Sequence, residues 1–163
     1  MDIRICIDVD DLERGIAFYT QGLHLTLGRR LGDGWAELLG NGSTIDLLAE
    51  KDGSAPLGST HPQRRDFSRH WTPIHLDFAV TDIDAEVERL VGLGAKLERP
   101  VQDRRWGRMA NMADPFGHGF DLLEFQGRGY DELVSRPDAG AGSAPRLQVL
   151  APVRLRRGEF AKE

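Results

Sequence analysis

A histidine and an aspartate share one face of a short segment near the middle of the chain. From Ile74 to Val80, apolar and polar residues alternate, which predicts a β-strand with His75 and Asp77 on its polar face. Imidazole nitrogens and carboxylate oxygens bind divalent metal ions, so His75 is a candidate metal ligand. The alternative is a histidine that faces solvent or makes a hydrogen bond, and this is the default interpretation for a single histidine.

The same strand-and-helix pattern occurs earlier in the chain, at a constant offset of 71 residues. The matched apolar positions are Ile5, Ile7, Val9, Leu12, Ile16 and Tyr19 in the first copy, and Leu76, Phe78, Val80, Ile83, Val87 and Leu90 in the second. The first three of each set predict a strand, and the last three recur at helical spacing. The offset also places Arg4 at the position of His75, so equivalent polar positions hold different chemistry.

Three further strand signals follow the helix in each copy. They span residues 23–29, 35–39 and 44–49 in the first half, and 95–99, 106–113 and 119–125 in the second. Asn41-Gly42 predicts a hairpin in the first half, and residues 114–117 predict a tight turn in the second. Asp46 and Asp121 lie at equivalent positions in the last strands. The sequence therefore predicts two βαβββ modules, residues 1–50 and 71–126.

Two segments lie outside the repeat. The linker, residues 51–70, is basic and rich in Gly, Ser and Pro, which predicts a surface crossover or a lid that steers anions. Residues 127–163 form a C-terminal extension. We expect residues 146–157 to pack on the body or on a second subunit, so that deletion after residue 145 lowers thermal stability or changes oligomer size.

Composition excludes several classes of protein. The 163 residues suit one compact domain or two halves that share a core. The net charge of −5 gives no general attraction to nucleic acid or to anionic membranes. No apolar run approaches the roughly 20 residues that span a bilayer, and the first residues lack the pattern of a signal peptide. We therefore expect a cytoplasmic protein.

Three other chemically capable side chains are predicted to lie outside the site. Cys6 is the single cysteine, which excludes an intramolecular disulfide and fits a reducing compartment. Its position in the middle of a strand predicts a buried thiol. His24 and His118 lie near turns, which predicts that both are surface residues.

The complete pattern resembles the vicinal oxygen chelate superfamily, which contains glyoxalases, bleomycin-resistance proteins and extradiol dioxygenases. The resemblance covers about residues 2–125. It rests on the segment ICIDVDDLERGIAFYTQGL, its repeat IHLDFAVTDIDAEVERLVGLGAKL and the ending WGRMANMADPFGHGFDLLEF. It implies an α+β fold in which two tandem βαβββ modules form a cupped mixed sheet around a cavity, and it implies a homodimer.

The resemblance also implies a site. Family members take metal ligands from the first and fourth strands of each module, which correspond here to Arg4, Asp46, His75 and Asp121. His75, Asp121 and Asp46 would bind a divalent ion such as Zn, Mn, Fe, Co or Ni. Arg4 departs from the pattern because a guanidinium does not bind a cation. Beside Asp46 it would instead form a bidentate ion pair that neutralises the site.

Arg4 has a second interpretation as an anchor for a carboxylate or phosphate of a bound ligand. The candidates for substrate-binding walls around it are Trp35, Trp106, Met109 and Met112. Core packing is the alternative for each tryptophan. Glu37 is a conceivable general base if it faces the cavity, but Trp35 shares its face of the strand, and the sequence leaves that face open.

Two functions follow, and the enzyme status stays open between them. The first is a glyoxalase-like protein that binds a small oxygenated or anionic molecule in the sheet cavity, with metal-assisted lyase, isomerase or dioxygenase activity. The second is a metal-free protein that binds and sequesters an antibiotic-like small molecule. His75, Asp46 and Asp121 favour the first, and Arg4 favours the second. No interleaved aromatic and basic pattern indicates a nucleic-acid partner.

Overall fold

The structure is a computed structural model in which residues 3–40, 42–57 and 62–134 are described. The predicted C-terminal arm and part of the predicted hairpin turn lie outside the described residues. The elements of the first half are β1 (Arg4–Val9), α1 (Leu12–Leu23), β2 (Thr26–Leu31), β3 (Trp35–Leu39) and β4 (Thr44–Ala49). Those of the second half are β5 (Leu76–Ala79), α2 (Ile83–Gly92), β6 (Lys96–Leu97), β7 (Gln102–Arg104), β8 (Gly107–Ala113) and β9 (Gly119–Phe125), followed by a 3₁₀ helix, Gly129–Glu132.

The strands form two mixed sheets with equivalent topology. The first has the order β1-β4-β3-β2, and the second has the order β5-β9-β8-β6, with β7 also paired to β8. β1 runs parallel to β4 and β5 runs parallel to β9, while the neighbouring pairs are antiparallel. Two helices on two mixed sheets confirm the predicted α+β fold class.

An aspartate side chain caps the N-terminus of each helix by accepting a hydrogen bond from a backbone N–H group of the first turn. Asp11 accepts a hydrogen bond from the backbone N–H of Arg14, and Asp82 accepts one from the N–H of Ala85. The apolar sides of the sheets pack against these helices, and Leu47 and Leu122 at the two sheet centres are fully buried. No helix among the described residues is long and apolar enough to cross a membrane.

The register of the strands matches the sequence repeat. Cys6 of β1 lies opposite Asp46 of β4, and Asp77 of β5 lies opposite Asp121 of β9. The apolar residues that alternate with them, such as Ile7 and Phe78, pack against the core in both modules, as the alternation predicts. One polar face on each sheet is therefore turned away from the helices.

Two predicted strands are shorter in the structure. Ile74 is not on the core face but is 79% exposed, since β5 starts at Leu76, which pairs with Phe120 near the start of β9. The strand predicted over residues 95–99 is reduced to β6, and the unpredicted β7 follows it. Pro100 lies between β6 and β7 and lacks an N–H group for pairing, so the chain forms two short strands instead of one.

The two modules join through α1 and the turn at residues 114–117. The Tyr19 hydroxyl donates a 2.6 Å hydrogen bond to Asp114 Oδ2, and Arg14 Nη2 donates one of 3.0 Å to the carbonyl of Pro115. Oδ1 of Asp114 accepts from the backbone N–H groups of Phe116 and His118, which closes the turn. The predicted turn therefore forms part of the joint between the modules.

The described part of the linker is docked on both modules. Arg65 Nε donates to Asp8 Oδ2 at 2.7 Å, and Arg69 Nε donates to Glu98 Oε1 at 2.5 Å. At Gly117, whose φ is +88°, a Cβ atom would lie 2.0 Å from the carbonyl oxygen of Ser68, so only glycine allows this close approach. The linker is thus a crossover in which these two arginines are paired with carboxylates.

Candidate functional site

The polar face of the first module is occupied by a closed ion-pair network. Arg4 Nε donates to Asp46 Oδ2 at 2.9 Å, and Arg4 Nη2 donates to Asp46 Oδ1 at 2.6 Å and to Glu37 Oε1 at 3.0 Å. Glu37 lies opposite Asp46 in the sheet, so its carboxylate faces the same side. Arg29 binds this carboxylate from β2, with Nε 2.9 Å from Oε2 and Nη2 2.5 Å from Oε1.

This network fixes the charge of its members. Glu37 and Asp46 are only 5% and 4% exposed, and both carboxylates are bound by guanidinium groups. The hydrogen bonds from Arg29 and then from Arg4 lower the pKa of Glu37 to about 2. The hydrogen bonds to Asp46 and Glu37 raise the pKa of Arg4 above its already high value. Glu37 therefore lies on the polar side of its sheet with Asp46, but it is a poor proton acceptor near neutral pH.

A second group of polar side chains lies on the polar face of the second module. His75 Nε2 lies 3.1 Å from Asp77 Oδ1 and 3.6 Å from Asp121 Oδ2. One ligand atom from each of these three residues lies within 4.8 Å of the others. Asn111 lies opposite Asp121 on β8, and its Nδ2 donates a 2.7 Å hydrogen bond to Asp121 Oδ1. Gln102 Nε2 in turn donates a 3.2 Å hydrogen bond to Asn111 Oδ1.

The donor set of this group fits a divalent metal ion. It offers one imidazole nitrogen and two carboxylates, and the bond from Asn111 to Asp121 Oδ1 leaves Oδ2 directed at His75. Such outer hydrogen bonds commonly orient metal ligands. About half of the His75 side chain is exposed, so a bound ion would keep positions open for a ligand. We refer to His75, Asp77 and Asp121 as the acidic triad.

The structure brings together two of the three predicted metal ligands. His75 and Asp121 meet in the acidic triad, whereas both oxygens of Asp46 accept hydrogen bonds from Arg4. Asp77 completes the triad, and the sequence had already placed it on the polar face beside His75. What the sequence did not provide was the register that sets Asp77 and Asn111 on either side of Asp121.

Two clefts meet at His75. The apolar cleft has a volume of about 360 Å³, and the polar cleft has a volume of about 190 Å³. Both are lined by four shared residues, Thr72, His75, Gly119 and Phe120. The apolar cleft continues along β1 and β5, and the polar cleft continues past Asp121 to Arg99 and Trp71.

Of the predicted substrate-binding residues, Met112 lines the polar cleft, whereas Arg4, Trp35, Trp106 and Met109 lie outside both clefts. Trp35 is half-buried on the polar side of β3, and Met109 is half-buried on the face of β8 that carries Asn111. Trp106 packs in an aromatic cluster, with ring centroids 5.6 Å from Phe125 and 5.0 Å from Tyr130. The tryptophan that does line a cleft is Trp71, which is 80% exposed.

The burial of Cys6 and of His118 differs from the prediction. Cys6 is exposed rather than buried, because it lies on the polar side of β1, the edge strand of its sheet, where it lines the apolar cleft. His118 is half-buried, and its Nε2 lies 2.8 Å from the carbonyl oxygen of Asp8 in the other module. His24 is exposed as predicted and ends α1 with a φ of +55°.

Comparison with known proteins identifies the family of this fold. Residues 4–123 match the family model described as a glyoxalase-like domain. The chain belongs to this family. The match places the glyoxalase-like protein in the vicinal oxygen chelate superfamily that its sequence resembles. An uncharacterised protein of Mycobacterium bovis, Mb0911c, is 35% identical to it over 120 residues. That alignment covers 70% of this chain and 76% of the mycobacterial protein.

Solved structures share the fold of this glyoxalase-like protein at low sequence identity. One is a mutant of the fosfomycin resistance protein FosX from Listeria monocytogenes, complexed with Mn(II) and dihydroxypropylphosphonic acid. Its TM-score is 0.60 at 21% identity, over 80% of this chain and 92% of that one. Another is TnmS3, an antibiotic binding protein from Streptomyces sp. CB03234, with a TM-score of 0.53 at 21% identity over 77% of this chain and 96% of that one.

Proposed function

We propose that this glyoxalase-like protein binds a small oxygenated or anionic molecule at the polar cleft, through a divalent ion held by the acidic triad. The observation that carries the proposal is the meeting of His75 Nε2 with carboxylate oxygens of Asp77 and Asp121. The carboxylates of Asp77 and Asp121 bring two negatively charged groups beside the same imidazole. Among the described residues, no lysine or arginine forms an ion pair with either aspartate. A divalent cation bound here would offset the charge of both carboxylates.

The residues around the triad have different roles in binding. A bound divalent ion would polarise an oxygen atom of the ligand, which supports lyase, isomerase or dioxygenase chemistry. Asn111 holds Asp121 in place, and His75 contributes its Nε2 nitrogen. Arg99, exposed at the end of the polar cleft, is available for an anionic group of the ligand. The Mn(II) in the FosX complex supports a metal of this kind, and the donor set also suits Zn, Fe, Co or Ni.

Titration of the protein with Mn(II), followed by electron paramagnetic resonance, tests the ion site. We expect saturable binding of one ion per chain, lost in His75→Ala and in Asp121→Asn because each removes a ligand. Asn111→Ala should weaken binding by about 10- to 100-fold, the usual effect of removing an outer partner.

The matched control is His24→Asn, which changes an exposed histidine at the end of α1 and keeps a residue that tolerates positive φ. It should bind Mn(II) like the native protein. Equal Mn(II) affinity in the native protein and in both ligand variants would reject the acidic triad as a metal site.

A second candidate function is metal-free binding of a small molecule, and the network around Arg4 favours it. Arg4 takes the position where the family pattern has a metal ligand, and it neutralises Asp46 together with Glu37. TnmS3, an antibiotic binding protein, has the same fold. The Arg4→His variant separates the two functions, since it removes a cation, frees Asp46 and adds a nitrogen donor. A metal content of zero in both the native protein and this variant would favour the metal-free function.

A further inference from the structure

We propose that the ligand of this site is amphipathic, with an apolar body in the apolar cleft and an anionic or oxygenated head in the polar cleft. This inference rests on the proposed function, because it takes the acidic triad as the place where the head binds. It adds the chemical class of the ligand: a monoanion, such as a carboxylate, that carries an alkyl or aryl group.

The continuity of the two clefts supports one ligand that spans both. His75, Thr72, Gly119 and Phe120 line each of them, so the two clefts meet at His75, and Asp121 lies on the polar side of this boundary. A head group bound at His75 would have the apolar cleft directly beside it. The volume of that cleft, about 360 Å³, lies within the range of pockets that hold small molecules.

The walls of the apolar cleft specify an apolar body. Ile5 and Ile7 of β1 and Leu76 and Phe78 of β5 line it, and all four are partly buried against the core. Each strand pairs on one side only, β1 with β4 and β5 with β9, which leaves a gap between the two edges. Ile74 at the rim is 79% exposed, so an apolar group that enters the cleft would cover it.

The walls of the polar cleft specify a single negative charge on the head group. Arg69 donates from Nε and Nη2 to the two carboxylate oxygens of Glu98, at 2.5 and 2.9 Å, so its charge is already paired. Arg99 is exposed and makes no hydrogen bond or ion pair with a described residue. A divalent ion offset by two aspartates, together with the guanidinium of Arg99, matches one carboxylate, and Trp71 offers an exposed aromatic face beside them.

A homologous series of straight-chain carboxylates tests the inference, with butanoate, hexanoate and octanoate as probes. Their affinities are measured by calorimetry, with and without saturating Mn(II). We expect affinity to rise about fourfold for each added methylene until the apolar cleft is filled. Arg99→Gln should weaken all three probes by a similar factor and leave this dependence on chain length unchanged.

Variants of the apolar cleft distinguish burial of the alkyl chain in this cleft from nonspecific hydrophobic binding elsewhere on the protein. Ile74→Asn changes an exposed side chain, so the fold is retained, and it should reduce the gain from butanoate to octanoate. Ile5→Trp should block octanoate while butanoate still binds. Leu27→Asn, at an exposed apolar residue of β2 away from both clefts, is the control and should change neither affinity.

Several results would overturn the inference. Affinity that does not depend on chain length, or a dependence that Ile74→Asn and Ile5→Trp leave intact, would show that the apolar cleft is not used. Octanoate affinity that falls as the protein concentration rises would show that a second copy of the chain covers the cleft instead. The Mn(II) titration without any carboxylate remains a separate test, so loss of the metal site and loss of the apolar subsite are distinguishable.

Discussion

At the scale of single residues, the two modules differ in chemistry at one pair of equivalent positions in the repeat. Arg4 is the first residue of β1 and His75 immediately precedes β5, and the two occupy equivalent positions in the repeat. The guanidinium of Arg4 binds two buried carboxylates, whereas the imidazole of His75 lies against two carboxylates that no described arginine or lysine neutralises. A guanidinium remains charged at any ordinary pH and completes a network, while a neutral imidazole offers a lone pair. The carboxylates of the first module are therefore already paired with guanidinium groups, whereas those of the second module form the metal site that we propose.

The low pKa of Glu37 predicts an acid-dependent stability. Its pKa is about 2 in the folded protein against an ordinary value of 4.5, so its contribution is complete above pH 4.5 and is lost as the pH falls towards 2. Glu37→Gln should be less stable than the native protein at neutral pH, and the difference should shrink across this range. Urea unfolding at several pH values measures it.

Glu13→Gln is the control for this prediction. Glu13 is an exposed carboxylate on α1 that pairs with Arg30, also at the surface, and such pairs contribute little to stability. The difference between Glu13→Gln and the native protein should stay small at every pH. A constant deficit of Glu37→Gln down to pH 2 would contradict the role assigned to the two arginines.

At the scale of elements, the packing of α1 on α2 fixes how the two modules meet. Gly22, near the end of α1, lies against Leu90 of α2, and Arg89 of α2 donates hydrogen bonds to the carbonyl of Gly22. Leu90 is fully buried, so it cannot move aside without disturbing the core. The helices approach closely only because residue 22 has no side chain.

A pair of glycine variants tests this contact. Gly22→Ala would place a Cβ atom 2.7 Å from Leu90 Cδ2, so we expect destabilisation of about 1–3 kcal/mol despite the better helix propensity of alanine. Gly92→Ala, at the end of α2, meets no atom within 4 Å and should be neutral or stabilising by up to about 1 kcal/mol. The free energy of unfolding measures both, and a stabilising Gly22→Ala would show that the contact is loose.

At the scale of the whole molecule, a buried hydrogen bond joins the modules. Tyr19 of α1 donates to Asp114 at the end of β8, and both side chains are buried. Burial, together with the charge of Asp114 and this hydrogen bond, raises the pKa of Tyr19 well above its usual value, so the hydroxyl remains a donor. Arg14 reinforces the joint from the same helix, with its guanidinium 4.8 Å from the centre of the Phe116 ring.

Tyr19→Phe should therefore lower the free energy of unfolding by about 1–3 kcal/mol, because Asp114 loses a donor in a buried position. Tyr130→Phe is the matched control, since Tyr130 is about half exposed and its hydroxyl makes no hydrogen bond with a described residue. Denaturant unfolding measures both. If the two variants have equal stability, the hydrogen bond between the modules contributes nothing measurable.

The sequence by itself determined the repeated architecture, because alternation and helical spacing depend only on local residue order. The constant offset identified equivalent positions, so Arg4, Asp46, His75 and Asp121 were placed on polar faces before any contact was known. It also predicted the bounds of β3, β4 and β9 as they occur, because hairpin and turn residues delimit these strands.

Only the tertiary structure decided which polar side chains meet, because partners depend on strand register and on neighbours distant in sequence. Register set Asp77 and Asn111 around Asp121, and the pairing of β3 with β4 turned Glu37 towards Arg4. The gap between β1 and β5, which exposes Cys6 and forms the apolar cleft, depends on how α1 docks on the second module. No pattern within either strand encodes that distance, since both strands carry the same alternation whether their edges meet or stand apart.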